Sequence, residues 1–205
     1  MLVIWGRTNS VNVQKVLWCC EELGLAYERI DAGLAFGVVG TPEYRRRNPN
    51  GLVPTIDDDG FVLWESNAIV RYLAAKHPSG LWPADPHRRA EADQWMDWSQ
   101  TTFWPAIRLA FLGLIRTPPE QRNKDAIEDS VRRTADALSL VDDHLSSRAY
   151  LAGNEFTVAD IVLGCGVWRW LAMPIERPAR PNVLRWFKEI EARAACRKIV
   201  ISPLT

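Results

Sequence analysis

Asn48-Pro49-Asn50-Gly51-Leu52-Val53-Pro54-Thr55-Ile56-Asp57-Asp58-Asp59-Gly60-Phe61-Val62-Leu63-Trp64-Glu65-Ser66-Asn67-Ala68-Ile69 is the stretch on which the fold turns. Asn-Pro-Asn-Gly at 48–51 signals a turn. Leu52 to Ile56 is extended, yet Pro54 has no N–H to give to a ladder, so it belongs at a strand start or edge. Asp57 to Gly60 reads as a hairpin turn, and Phe61 to Trp64 as the returning strand. Ser66 is then placed to cap a helix whose Ile69, Val70 and Leu73 point inward at helical spacing.

Upstream, Leu2 to Trp5 is a short apolar strand stopped by Gly6. Asn9, Ser10 and Asn12 offer caps for a helix carrying Val13, Val16, Leu17, Cys20 and Leu23, which Gly24 ends. Tyr27 to Ile30 reads as a second strand, and the Gly33–Gly40 stretch leads to a short helix near Thr41-Pro42-Glu43. Residues 1–78 therefore run βαβ-α-ββ-α, an α/β domain of thioredoxin-like order. Prolines keep 79–87 irregular as a linker, and 88–205 is helical throughout. A long helix is expected from Arg88 to about Ile115, kinked at Pro105, and a second runs to about Leu145. A third begins at Thr157 with the capping-box pattern Thr157-Val158-Ala159-Asp160, and Pro181-Asn182 opens a fourth.

Composition narrows the function classes. With 205 residues and 47% hydrophobic content the chain can bury a core without disulfides. Its 25 basic residues balance 25 acidic ones, which leaves no electrostatic footprint for nucleic acid or an anionic membrane. The N-terminal sequence lacks a leader pattern and no apolar run is long enough to span a bilayer, so a cytoplasmic location is expected. The four Cys and three His lack metal-ligand spacing, so no metal site is expected.

Val53-Pro54-Thr55 ahead of Glu65-Ser66, with an all-helical second half, resembles the soluble glutathione transferase family, and a bacterial theta/nu-like member in particular. Lys15-Val16, Glu21 to Leu25 and Phe156 to Asp160 extend the match over essentially the whole chain. The resemblance implies a glutathione transferase that adds the glutathione thiolate to a small hydrophobic electrophile, acting as a homodimer. Pro54 would be cis, which turns the backbone of Val53 outward to bond the cysteinyl unit of glutathione like an added strand. Glu65 and Ser66 stand where a strand meets a helix. There the first-turn N–H groups favour a carboxylate, so Ser66 can hold the γ-glutamyl carboxylate and Glu65 its ammonium.

Sulfur activation needs a donor, because an unperturbed thiol has a pKa of about 8.5. Ser10, six residues before Val16, matches the serine of theta-like members, and Asn12 matches an asparagine that takes the contact in some relatives. Either could instead only cap the helix. No Tyr or Cys occupies this loop.

Many relatives carry Lys for the glycyl carboxylate where this chain has Leu52. Arg45, Arg46, Arg47, Asn50 or Gln14 are the available substitutes. In this family the acceptor pocket lies between the domains, which points to Arg7, Phe36, Phe103, Ile107, Arg108 and Trp168. Thr157 and Asp160 are assigned to structure. Two other readings stay open on the same scaffold: a glutathione-dependent reductase or peroxidase, and a binding protein without catalysis.

Overall fold

Short apolar runs with a polar turn at each end form the sheet. In the computed structural model, which describes residues 1–205, the strands are β1 (Leu2–Trp5), β2 (Tyr27–Ile30), β3 (Thr55–Asp58) and β4 (Phe61–Trp64). Their order is β2-β1-β3-β4, with β1 and β2 parallel and the other neighbours antiparallel. Helices α1 (Val11–Glu22), α2 (Pro42–Arg47) and α3 (Ser66–Lys76) complete this unit, with a 3-10 turn at Leu34–Phe36. The βαβ-α-ββ-α order is thus the one expected.

Register decides what this unit can do. Trp5 pairs with Thr55, and Thr55 pairs with Trp64. The exit of β1 towards α1, the Val53-Pro54 entry to β3 and the exit of β4 into Glu65-Ser66 therefore meet at one end of the sheet. Beneath it, α1 packs on α3 through fully buried Val13, Val16, Leu17, Ile69, Val70 and Leu73. Each such side chain contributes about 1.5–3 kcal/mol by leaving water.

The chain divides between Trp82 and Pro83. The second unit holds α4 (Pro86–Trp98), α5 (Trp104–Phe111), α6 (Lys124–Leu145), α7 (Val158–Ala172), α8 (Pro181–Glu191) and α9 (Ala194–Ile199). The short α9, at the chain's end, has no counterpart in the sequence reading. Helix α7 is buried around most of its circumference, in keeping with apolar or small residues at all its positions but Asp160 and Arg169.

The long helix expected from Arg88 is a run from Pro86 to Arg116 with two wider π-type turns, Ser99–Phe103 and Leu112–Arg116. Pro105 lacks an N–H, and the wide turn just before it accommodates that loss. A second cause comes from elsewhere in the chain. The Ser130 hydroxyl accepts from Ala110 N–H at 2.9 Å and donates to the Ala106 carbonyl, entering the ladder of α5.

Thr157 caps α7 in a full capping box with Asp160. The Asp160 carboxylate is completely buried and accepts from Leu151 N–H (3.0 Å), Thr157 N–H (2.9 Å), Thr157 Oγ1 (3.2 Å) and Trp186 Nε1 (2.8 Å). Burial pushes its pKa up, and the four donors oppose that shift.

Phe103 seats its ring on Gly166 of α7, where a Cβ would stand 2.6 Å from the ring edge. Gly166→Ala is therefore expected to destabilise the protein by about 1–3 kcal/mol through overpacking. Thermal melts of the variant check this, and an unchanged midpoint would mean that the ring is free to move.

Candidate active site

Ser10 is the N-cap of α1 by backbone position, 7% exposed, but its side chain makes no capping bond. Its hydroxyl donates to no other group of the chain. Pure helix capping, the alternative role for Ser10, therefore does not describe it. Asn12 lies two residues on, within the first turn of α1. Its Oδ1 accepts from Lys15 Nζ at 3.0 Å, and Lys15 also reaches Asn67 Oδ1 at 3.4 Å. With Oδ1 turned to the lysine, the amide N–H groups of Asn12 remain to donate. Ser10 and Asn12 thus both present donors at the positive end of α1.

The Val53-Pro54 bond is cis. Val53 N–H and C=O make no hydrogen bond within the chain, which leaves a strand-like edge open to an extended ligand. A buried polar cluster holds this edge in place. Tyr44 Oη donates to the Leu52 carbonyl at 2.7 Å and lies 2.8 Å from Thr55 Oγ1, while Asn48 Nδ2 reaches the same two atoms at 2.9 and 3.1 Å. Sequence reading missed Tyr44, Asn48 and Thr55 as supports. The Asn-Pro-Asn-Gly signal marked the turn, but a tyrosine from α2 closing over it has no local signature.

Asn50, expected to bind glutathione, turns its amide to Asn48 Oδ1 at 3.3 Å and serves the turn. Leu52 is 63% exposed and offers no charge. The three arginines of α2 take separate roles. Arg45 donates to the Pro49 carbonyl (3.3 Å), with its guanidinium carbon 3.2 Å from where a Cβ on Gly51 would stand. Arg47 covers the Trp5 ring at 5.1 Å and pairs with Glu43. Arg46 is exposed and has no partner within the chain.

Ser66 is not the cap of α3. Glu65 takes that position at φ 71°, in the left-handed region, and Ser66 is the first helical residue. Glu65 pays about 1–3 kcal/mol of backbone strain for that geometry. The result is an exposed carboxylate directly before a 5% exposed hydroxyl and the unpaired N–H groups of the first turn.

Arg7 is half-buried, its Nη1 3.1 Å from where a Cβ on Gly33 would stand, with Val53 Cγ1 3.5 Å from the same point. It therefore flanks the Val53 edge. Phe36 is 53% exposed on its 3-10 turn. Of the acceptor residues expected from the helical unit, Arg108 is exposed and Trp168 half-exposed. Phe103 and Ile107 are buried in the second unit, at 1% and 0% exposed.

All four cysteines are free and buried. Burial raises Cys19 and pushes Cys20 up to about 12. A thiol reagent is expected to leave all four unmodified in the native protein and to titrate four after denaturation. A rapidly reacting native thiol would reopen protein-thiol chemistry.

Residues 9–76 match the family model described as the glutathione S-transferase N-terminal domain, and residues 103–194 the one for its C-terminal domain. Glutathione S-transferase GstB of Escherichia coli is 43% identical over 208 residues, covering 100% of both chains. Glutathione S-transferase 3 of Zea mays is 35% identical over 97% of this chain and 93% of its own. Among solved structures, the theta class glutathione S-transferase of Xanthomonas axonopodis pv. citri with glutathione bound is similar at a TM-score of 0.97. It shares 46% identity over 100% of this chain and 99% of that one. These matches cover most of the chain with both domain models and all of it with a 43% identical relative, and the chain belongs to the glutathione S-transferase family.

Proposed function

We propose that this protein binds glutathione along the Val53 edge and transfers its thiolate to an electrophilic carbon of a small hydrophobic acceptor. A new S–C bond forms, the acceptor's leaving group departs or its π electrons shift to a neighbouring atom, and the thiol proton passes to solvent. The observation that carries this reading is the Ser10 hydroxyl, held at the head of α1 and bonded to nothing else.

Each part of the tripeptide has a counterpart in the first unit. Val53 N–H and C=O meet the cysteinyl backbone. Ser66 and the N–H groups of the first α3 turn take the γ-glutamyl carboxylate, and Glu65 takes the ammonium. Arg45, against Gly51, supplies the glycyl-end charge that Leu52 lacks. Ser10 donates to the sulfur, with Asn12 as the neighbouring donor. Within the first unit, half-buried Arg7 beside Val53 and exposed Phe36 are the side chains left for the acceptor. No helix is long and apolar enough to cross a membrane. Phe61 and Trp64, 49% and 37% exposed on edge strand β4, supply apolar surface for a second copy, in keeping with a homodimer.

Isothermal titration of reduced glutathione tests the reading first, and one saturable site per chain is expected. No heat at several temperatures with millimolar ligand would leave a protein that kept the fold without the ligand. In steady-state assays Arg45→Ala should raise the glutathione KM by about two- to fivefold, the range of an exposed ion pair, with kcat unchanged. An unchanged KM would exclude Arg45 from the glycyl end.

A further inference from the structure

The helical unit contains a cavity that the proposed transferase chemistry does not use. It has a volume of about 230 Å³ and lies among α6, α7, α8 and the loop joining the last two. Leu138, Trp170, Val183 and Leu184 give it an apolar body, and Arg177 and Arg180 line it as well. An apolar cavity of about 150 Å³ accepts a benzene ring, so this one has room for a ring with a short polar arm.

No acidic side chain lines this cavity, and Arg177 lies over the Trp170 ring at 5.9 Å. Neither Arg177 nor Arg180 forms an ion pair, and the Nε–H of each is buried without an acceptor. Arg177 uses three of its N–H groups on the carbonyls of Leu171 (2.6 Å), Met173 (2.6 Å) and Ile175 (3.2 Å). Arg180 uses two, on Ala179 (3.3 Å) and Ala135 (3.1 Å). A guanidinium has five donors, so both keep N–H groups for another acceptor. Those carbonyl bonds tie both side chains to the walls, so their charge is held in place before any ligand arrives. Burial lowers the Arg177 pKa, which is the mark of a cation short of a counter-charge.

We propose that this cavity binds a small aromatic carboxylate, with the ring between Leu138, Trp170, Val183 and Leu184 and the carboxylate against Arg177 and Arg180. An apolar enclosure with few convergent polar groups is the common form of a small-molecule site. Here both charged side chains are cationic, and a carboxylate is the anion a guanidinium pairs with. The site lies wholly within the second unit, so it is occupied independently of glutathione.

The test is calorimetric titration of 3-phenylpropionate into the protein saturated with glutathione. One site per chain is expected, with 3-phenylpropanamide, which has the same shape and no charge, binding at least about tenfold more weakly. Arg180→Gln should weaken the acid by about tenfold and leave the amide unchanged. Leu184→Trp, which fills the mouth from an exposed position, should abolish binding of both while leaving transferase turnover unchanged. Arg177 also anchors the loop, so the acid-against-amide comparison on the wild-type protein carries the charge argument without that variant. Three results would each overturn the proposal: no saturable heat at millimolar acid, equal binding of acid and amide, or displacement of the acid by glutathione.

Discussion

Ser10→Ala is expected to move the acidic limb of the kcat/KM profile upward by about one to two pH units. A charge-assisted hydrogen bond is worth about 1.5–3 kcal/mol, and each pKa unit about 1.4. Ser10 donates to the ionised sulfur, so it lowers the thiol pKa in the complex, and its loss raises that pKa again. Below both pKa values the thiolate fraction then falls roughly ten- to hundredfold. The more basic thiolate is also the better nucleophile, with a Brønsted slope of about 0.4–0.5, so the net loss of rate is roughly four- to twelvefold. Above both values the deficit disappears. The variant should fold normally, within about 0.5 kcal/mol of the parent, because the Ser10 side chain caps nothing. Spectroscopic titration of the bound thiolate reads the shift directly. If Ser10→Ala leaves the profile in place while Asn12→Ala moves it, the donor is Asn12, oriented by Lys15.

Asp160→Ala carries the largest expected effect on stability, a loss of about 3–5 kcal/mol. The carboxylate accepts four hydrogen bonds at a fully buried position, and the change strands Leu151 N–H, Thr157 N–H and Trp186 Nε1 away from water. For a chain of this length each kcal/mol shifts the melting midpoint by about 2–4 °C, so a fall of roughly 6–20 °C is expected. Asp160→Asn should be intermediate, since its one carbonyl oxygen cannot serve both sets of donors. Turnover per folded molecule at low temperature should stay near the parent value, because Asp160 ties Leu151 and Trp186 to the start of α7 and touches no substrate. A catalytic defect in folded Asp160→Asn would contradict the structural assignment.

These two residues mark how far a sequence can be read. Thr157-Val158-Ala159-Asp160 is a local pattern whose bonds close within three residues, so its geometry was legible without the fold. Its importance was not, because Trp186 Nε1 joins from 26 residues away. The same division runs through the first unit. Pro54 cannot sit inside a ladder and Asn-Pro-Asn-Gly must turn, so the order of elements along the chain follows from local chemistry. The meeting of Val53, Glu65 and Ser66, by contrast, was implied by the family resemblance and rests on the β1-β3-β4 register.

Other features depended on which side chains reach one another across the fold. Three adjacent arginines look alike in sequence. Only the packing puts Arg45 on the turn and Arg47 on Trp5, with Arg46 left in solvent. Ser66 has the composition of a helix cap, but the β4–α3 join needs a left-handed residue and Glu65 takes that place. Phe103 and Ile107 have the character of pocket walls, yet Gly166 opens a seat for the Phe103 ring in the core. The cavity beside Arg177 and Arg180 has no local signature, since its walls come from three helices and a loop. By itself the sequence determined the element order, because backbone sterics and hydrogen-bond capacity act over a few residues. The tertiary structure alone decided which polar groups stay unbonded and which aromatics are buried, because burial and partnership are set by distant segments packing together.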